Sequence, residues 1–113
     1  MITKRLSKDP EKVFVRFELP PAIWADHVYL VGDFNDWDED SLPMTPDRGD
    51  GTWHITLELQ TGKTYQFRYL VNGSEWHNDW KADDYVPNPF GGTNSVVSTV
   101  LSPEKDQENN KER

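Results

Sequence analysis

Residues 64–76 read TYQFRYLVNGSEW, and the alternation within them decides the fold class. Tyr65, Phe67, Tyr69 and Val71 share one side of a period-two pattern, while Gln66, Arg68 and Leu70 share the other. Successive side chains of a strand point to opposite faces, so this pattern is a strand with one face in a core. Asn72-Gly73 follows, the strongest short-range hairpin signal, and a short antiparallel strand around Glu75 to His77 is expected after it.

The same period runs outward in both directions. Lys12 to Leu19 sets Val13, Val15, Phe17 and Leu19 against Phe14, Arg16 and Glu18 until Pro20-Pro21 stops it. His27 to Val31 is a second strand. Trp53 to Leu59 is a third, with Trp53, Ile55, Leu57 and Leu59 inward and His54, Thr56 and Glu58 outward, and Asn94 to Leu101 is the last. Six strands, turn signals at Gly49 to Gly51 and Thr61-Gly62, and no convincing helix predict an all-β, antiparallel immunoglobulin-like β-sandwich.

At 113 residues the chain is one domain with a modest core. Residues 1–11 are expected to be a flexible segment, 12–101 the sandwich and 102–113, SPEKDQENNKER in full, a disordered charged tail. Asn78 to Thr93 is a long connection holding Trp80, Tyr85 and Phe90, a kind of loop that tends to be functional or partly ordered. There is no cysteine, hence no disulfide scaffold or thiolate metal site. The opening MITKRLSKDPEK lacks the apolar run of a signal peptide and no stretch is long enough to span a membrane, so a cytoplasmic address is expected.

Charge narrows the choice of partner. Between Val13 and Leu101, fourteen Asp and Glu face five cations, Arg16, Arg48, Lys63, Arg68 and Lys81, within a net charge of -8 for the whole chain. Such a surface repels phosphate backbones, so nucleic acid and anionic membranes are not expected partners and a neutral ligand fits better.

A neutral ligand has an evident reader in Val28 to Trp37, VYLVGDFNDW. Here an apolar strand runs through Gly32 into an Asx-rich turn with two aromatic residues; Phe34 can anchor the turn, Asn35 and Asp36 shape it, and Trp37 is presented. VYLVGDFNDW, the hairpin GKTYQFRYLVNGSEW and the return VPNPFGGTNSVV together resemble the family-48 carbohydrate-binding modules. That family includes the early-set domains preceding isoamylase and glycogen-branching catalytic barrels, and the glycogen-binding domain of AMP-activated kinase β subunits. The resemblance spans about Val13 to Leu101, and its specificity lies in three motifs in one order at fitting spacing.

The resemblance implies an early-set sandwich that binds α-1,4-linked glucans such as glycogen, starch or maltodextrin without catalysis. Carried over by motif, the Trp closing the FNxW turn is Trp37 and the Trp after the hairpin turn is Trp76, the aromatic platforms of glycogen-binding members. Arg68 stands where kinase-type modules carry Lys, Phe90 where they carry Leu, and Asn94 is the polar residue opening the final strand. A glucan enzyme, or another protein, is the partner the resemblance adds.

Residue chemistry points the same way. A glucose ring has apolar C–H faces and a rim of hydroxyls, which call for flat aromatic surfaces and for charged or amide groups respectively. Arg68 offers a planar donor fork beside Gln66, and Asn94 and Asn72 can donate and accept. Each hydrogen bond to sugar replaces one to water and nets about 0.5–1.5 kcal/mol, so affinity in the micromolar to millimolar range is expected. Trp53 reads as core, Trp24 as packed under a loop, and Trp80 as a loop anchor in preference to a third platform.

Other chemistries fit poorly. Asp36, Asp38, Asp40 and Asp47 match a calcium-loop template, but Ser41 stands where Gly is required and no flanking helix is expected. His27, His54 and His77 lack ligand spacing, and no phosphate loop or nucleophile motif occurs. No cofactor, metal or catalytic residue is therefore expected. Two readings stay open: a glucan-binding module, and a protein-interaction domain on the same fold that uses Trp37 and Trp76 as interface anchors with little or no glucan binding.

Overall fold

The computed structural model describes residues 1–21 and 25–100. Trp24 and the expected charged tail lie outside the described residues. Among the described residues nine strands follow in chain order: β1 Ile2–Leu6, β2 Lys12–Leu19, β3 Val28–Gly32, β4 Thr45–Pro46, β5 Trp53–Gln60, β6 Thr64–Val71, β7 Glu75–His77, β8 Asp84–Pro87 and β9 Thr93–Ser98. A single 3-10 turn, Asp33–Asn35, is the one helical element among the described residues. The strands form two sheets, one ordered β1-β2-β5-β4 and the other β3-β6-β9-β8 with β7 also on β6, and every pairing is antiparallel.

The alternation read from the sequence places the core. Val13, Val15, Phe17 and Leu19 of β2 are buried from one sheet; Val28 and Leu30 of β3, Phe67, Tyr69 and Val71 of β6 and Val97 of β9 are buried from the other. Trp53 and Leu59 join them, with Ile55 and Leu57 partly buried. Phe67 meets Phe17 edge-on at 5.0 Å between centroids and Tyr69 at 5.7 Å, pairs that each add about 0.5–1.5 kcal/mol beyond the area they bury. Asn72 and Gly73 both take positive φ, 53° and 75°, the type I′ geometry that matches strand twist.

The N-terminal segment departs from expectation. Ile2–Leu6 is a strand paired with β2 from Ile2 opposite Phe17 to Leu6 opposite Val13. Its charged residues hid it, because each finds a partner that only the tertiary fold supplies. Lys4 reaches Asp83 at 2.7 Å, and the Arg5 guanidinium sits 4.7 Å from the Phe14 ring centroid. The connection to β2 is held by Asx-type bonds, Asp9 N–H to Ser7 Oγ and Glu11 N–H to Asp9 Oδ1.

The long connection before β9 is organised by buried polar groups. Asp79 is 1% exposed; its Oδ2 accepts from Tyr69 Oη at 2.6 Å and its Oδ1 from Lys81 N–H at 2.7 Å, while its own N–H donates to Ser95 Oγ at 2.8 Å. Burial, then the Asp79 charge, raises the Tyr69 phenol well above 10, so it stays a donor. Tyr69→Phe removes that donor, while the Met1 ammonium still reaches Asp79 Oδ2 and Lys81 N–H still reaches Oδ1; a loss of about 0.5–1.5 kcal/mol is expected in urea unfolding. Trp80, expected to anchor this segment, is instead 61% exposed. Tyr85 anchors it, its hydroxyl donating to Asp79 O at 2.7 Å and accepting from Ala82 N–H at 3.0 Å.

Candidate functional site

The outer face of the second sheet is not an ordinary solvated face. Cross-strand pairing aligns Tyr29 with Leu70 and Val31 with Arg68 on β3 and β6, Leu70 with Trp76 on β7, and Gln66 with Val96 on β9. Leu70, read from the sequence as outward, does point away from the core yet is 3% exposed, and Val31 and Val96 are likewise buried. Half-covered strands show an apolar row on one face only, so a buried apolar row on the outer face means that neighbouring side chains and turns cover this part of the sheet.

The turn after β3 carries Trp37 onto this face. Gly32 is required by space: a Cβ there would lie 2.5 Å from Gln66 O, 2.8 Å from Phe67 Cβ and 2.9 Å from Phe34 Cζ. Phe34 then tucks back, its ring 5.6 Å from Phe17 and 6.0 Å from Tyr65. Asn35 closes the turn, Oδ1 accepting from Gly32 N–H at 3.0 Å and Nδ2 donating to Asp38 O at 3.0 Å and Ser41 Oγ at 2.9 Å. Asp36 and Trp37 both take left-handed φ, 56° and 59°, a conformation that is rare for a bulky residue and worth about 1–3 kcal/mol of strain. It persists because Trp37 N–H is tied to Gly32 O at 2.9 Å.

Asp33, absent from the sequence reading, proves central to this geometry. Its Oδ1 accepts from the Trp37 indole Nε1–H at 2.8 Å and its Oδ2 from Gln66 N–H at 2.7 Å. One carboxylate thus fixes the indole and pins the turn to β6. An Asp before an aromatic in a turn gives no signal of what it holds until the fold brings β6 alongside. Asp33→Ala frees the ring to rotate; we expect ligand affinity to fall several-fold, by the roughly 1 kcal/mol that ordering a side chain takes, with the fold retained in a thermal melt.

Arg68 and Trp76 form the middle of the site. The guanidinium carbon lies 5.8 Å from the Trp76 ring centroid, and Trp76 is 37% exposed. Among the described residues Arg68 makes no ion pair, and its Nε is buried with no hydrogen-bond partner. A buried N–H donor left without an acceptor is costly.

The return loop closes the other side. Asn88 Oδ1 accepts from Phe90 N–H at 2.9 Å and Gly92 N–H at 3.2 Å, and its Nδ2 donates to Asn94 Oδ1 at 3.3 Å. Asn94 Nδ2 in turn donates to Gln66 Oε1 at 3.1 Å, so amide groups run in series from the loop to β6. Phe90 is 93% exposed at the rim.

Trp37, Arg68, Trp76, Phe90 and Asn94 all line one cavity of about 510 Å³, with Glu39, Gln66, Asn88 and Pro89 completing the wall. The five residues proposed from the motifs as ligand contacts therefore share one cavity. Asn72 does not join them; its Oδ1 accepts from Asp26 N–H at 2.8 Å and His27 N–H at 3.3 Å and so serves the hairpin. Trp80 does not line the cavity either. In the turn that carries Glu39, the Asp40 N–H holds the Asp38 carboxyl below the ordinary carboxylate range, while the hydrogen bond that Asp40 gives to Asp38 and the charge of Asp38 raise Asp40. Among the described residues no group of three or more His, Cys, Asp or Glu is placed to hold a metal ion, and no helix is long and apolar enough to cross a membrane.

Residues 21–86, more than half of the chain, match the family described as carbohydrate-binding module 48 (isoamylase N-terminal domain). The chain belongs to that family. Of the residues lining the cavity, Trp37, Glu39, Gln66, Arg68 and Trp76 fall inside the matched span, while Asn88, Pro89, Phe90 and Asn94 follow it.

Among curated relatives of this carbohydrate-binding module, the 1,4-alpha-glucan branching enzyme GlgB of Aquifex aeolicus (strain VF5) is 43% identical over 58 residues, 47% of this chain and 9% of the enzyme. That of Thermosynechococcus vestitus (strain NIES-2133 / IAM M-273 / BP-1) is 33% identical over 87 residues, 72% of this chain and 11% of the enzyme. The chain thus spans about a tenth of the length of the curated relatives it matches. Among solved structures, the enterobactin esterase FES from Shigella flexneri superposes with a TM-score of 0.72 at 11% identity, covering 90% of this chain and 34% of the esterase, a likeness of fold alone.

Proposed function

We propose that this module binds α-1,4-linked glucans non-catalytically in the cavity between the Trp37 turn and the Asn88–Phe90 loop. The observation that carries the reading is one cavity lined by two indole rings, Trp37 and Trp76, with the Arg68 guanidinium beside Trp76 and the amide side chains of Gln66 and Asn94. In this account Trp37 and Trp76 stack on the C–H faces of successive glucosyl units, Phe90 covers the chain from the rim, and Arg68, Gln66 and Asn94 bind hydroxyls. The volume suits a small saccharide, within the roughly 300–1,000 Å³ of ligand pockets generally. Hydrolysis by paired carboxylates calls for two of them about 5–10 Å apart around one sugar, whereas Glu39 is the single carboxylate lining this cavity.

Family membership and the glucan chemistry named in the branching-enzyme relatives support the choice of ligand. We further propose that the module brings a glucan-active enzyme to its polymer. Affinity electrophoresis tests the binding: the chain is expected to be retarded in gels containing glycogen or starch relative to a glucan-free gel. Unchanged mobility in both would reject the reading. The protein-contact reading takes Trp37 and Trp76 as interface anchors; it predicts unretarded mobility together with capture of a partner that Trp37→Ala or Trp76→Ala abolishes.

A further inference from the structure

Beside the cavity lies a second concavity of about 370 Å³, lined by His27, Tyr29, Glu39, Asp40, Leu70 and Gly73. Glu39 lines both and so stands between them. Their offset follows from the strand: Leu70 is two residues beyond Arg68 on the same face of β6, a displacement of about 6.6–6.8 Å. Tyr29 stands opposite Leu70 as Val31 stands opposite Arg68, so the second concavity occupies the next row of the same outer face.

Its chemistry repeats that of the first in smaller form. Leu70 makes an apolar floor, 3% exposed, and the half-buried Tyr29 ring is held by the exposed His27 ring edge-on at 6.3 Å. Neither the Tyr29 hydroxyl nor the His27 imidazole hydrogen-bonds to another described residue, and the Glu39 and Asp40 carboxylates stand at the edge. An aromatic face with a free hydroxyl, set among acceptors that repel anions, recognises a neutral polyol.

We propose that this concavity is an extension subsite that takes a further glucosyl unit of the same glucan chain held on Trp37 and Trp76, entering over Glu39. The proposal rests on the glucan-binding reading above. Isothermal titration with linear maltooligosaccharides from maltotriose to maltoheptaose tests it on the wild-type chain and on Tyr29→Ala, His27→Ala and Trp76→Ala. Wild-type affinity is expected to rise roughly 3- to 10-fold along the series as stacking and one or two hydrogen bonds are added. Tyr29→Ala should erase that rise and leave maltotriose binding unchanged, His27→Ala should reduce it, and Trp76→Ala should weaken every length. Binding that does not rise with length, or a Tyr29→Ala loss equal at all lengths with His27→Ala without effect, overturns the subsite alone. Absence of binding at every length overturns the glucan reading and the subsite with it.

Discussion

Replacing Trp37 or Trp76 with Ala is expected to abolish glycogen retardation while leaving a cooperatively folded domain. Covering one large apolar side chain with ligand contributes about 1.5–3 kcal/mol, a factor of roughly 10–150 in affinity. For a ligand bound only in the micromolar to millimolar range, that loss moves binding beyond measurement. The fold should tolerate both changes. Trp76 sits on the three-residue strand β7 and is 37% exposed, and Trp37 belongs to no part of the core cluster. In Trp37→Ala the Asp33 carboxylate loses one partner but keeps Gln66 N–H. Thermal unfolding within a few degrees of wild type, together with lost retardation, is the expected pair of results. Retained retardation in both variants would mean that the rings do not carry the ligand.

Gly32→Ala is expected to damage stability and site together. Gly32 has extended backbone, φ -176°, so nothing in its conformation demands glycine. Space does, because the added methyl would meet the Gln66 carbonyl at 2.5 Å and Phe67 Cβ at 2.8 Å, neither of them the free end of a flexible side chain. Overpacking of this kind typically destabilises by about 1–3 kcal/mol, which lowers Tm by about 4–8 °C per kcal/mol in a domain of this size. Relief requires the turn to move off β6, and the turn carries Asp33 and Trp37. Glucan affinity should therefore fall in the folded variant as well. A variant that melts as wild type would show that the close approach of β3 and β6 at Gly32 is not as described.

Much of this architecture was legible in single residues. The alternation of Tyr65, Phe67, Tyr69 and Val71 gave β6 its faces because that strand has a core on one side, and Asn72-Gly73 gave its turn because both residues accept positive φ. The early-set motifs supplied which positions gather on one face, and all five residues chosen from them line one cavity. What escaped reading depended on partners distant in sequence. β1 was obscured by Lys4 and Arg5, whose charges are answered by Asp83 and Phe14. β4 and β8 are short strands of two and four residues, too brief for a period to emerge. Trp80 was read as an anchor because Trp is usually covered, yet a Tyr hydroxyl, Tyr85 Oη, does that work through Asp79 O. Asp33 was indistinguishable from the other acidic turn residues until β6 placed the Gln66 N–H against it.

We propose that a linear α-glucan occupies the cavity between Trp37 and Trp76. It is tested most directly by following the tryptophan indole N–H resonances in 15N-labelled protein during titration with maltoheptaose. Saturable shifts of the Trp37 and Trp76 indoles, with those of the core Trp53 unmoved, are predicted, with a midpoint in the micromolar to millimolar range expected of a few stacking and hydroxyl contacts. Spectra unchanged at millimolar maltoheptaose, or shifts that gather on residues remote from this cavity, would contradict it.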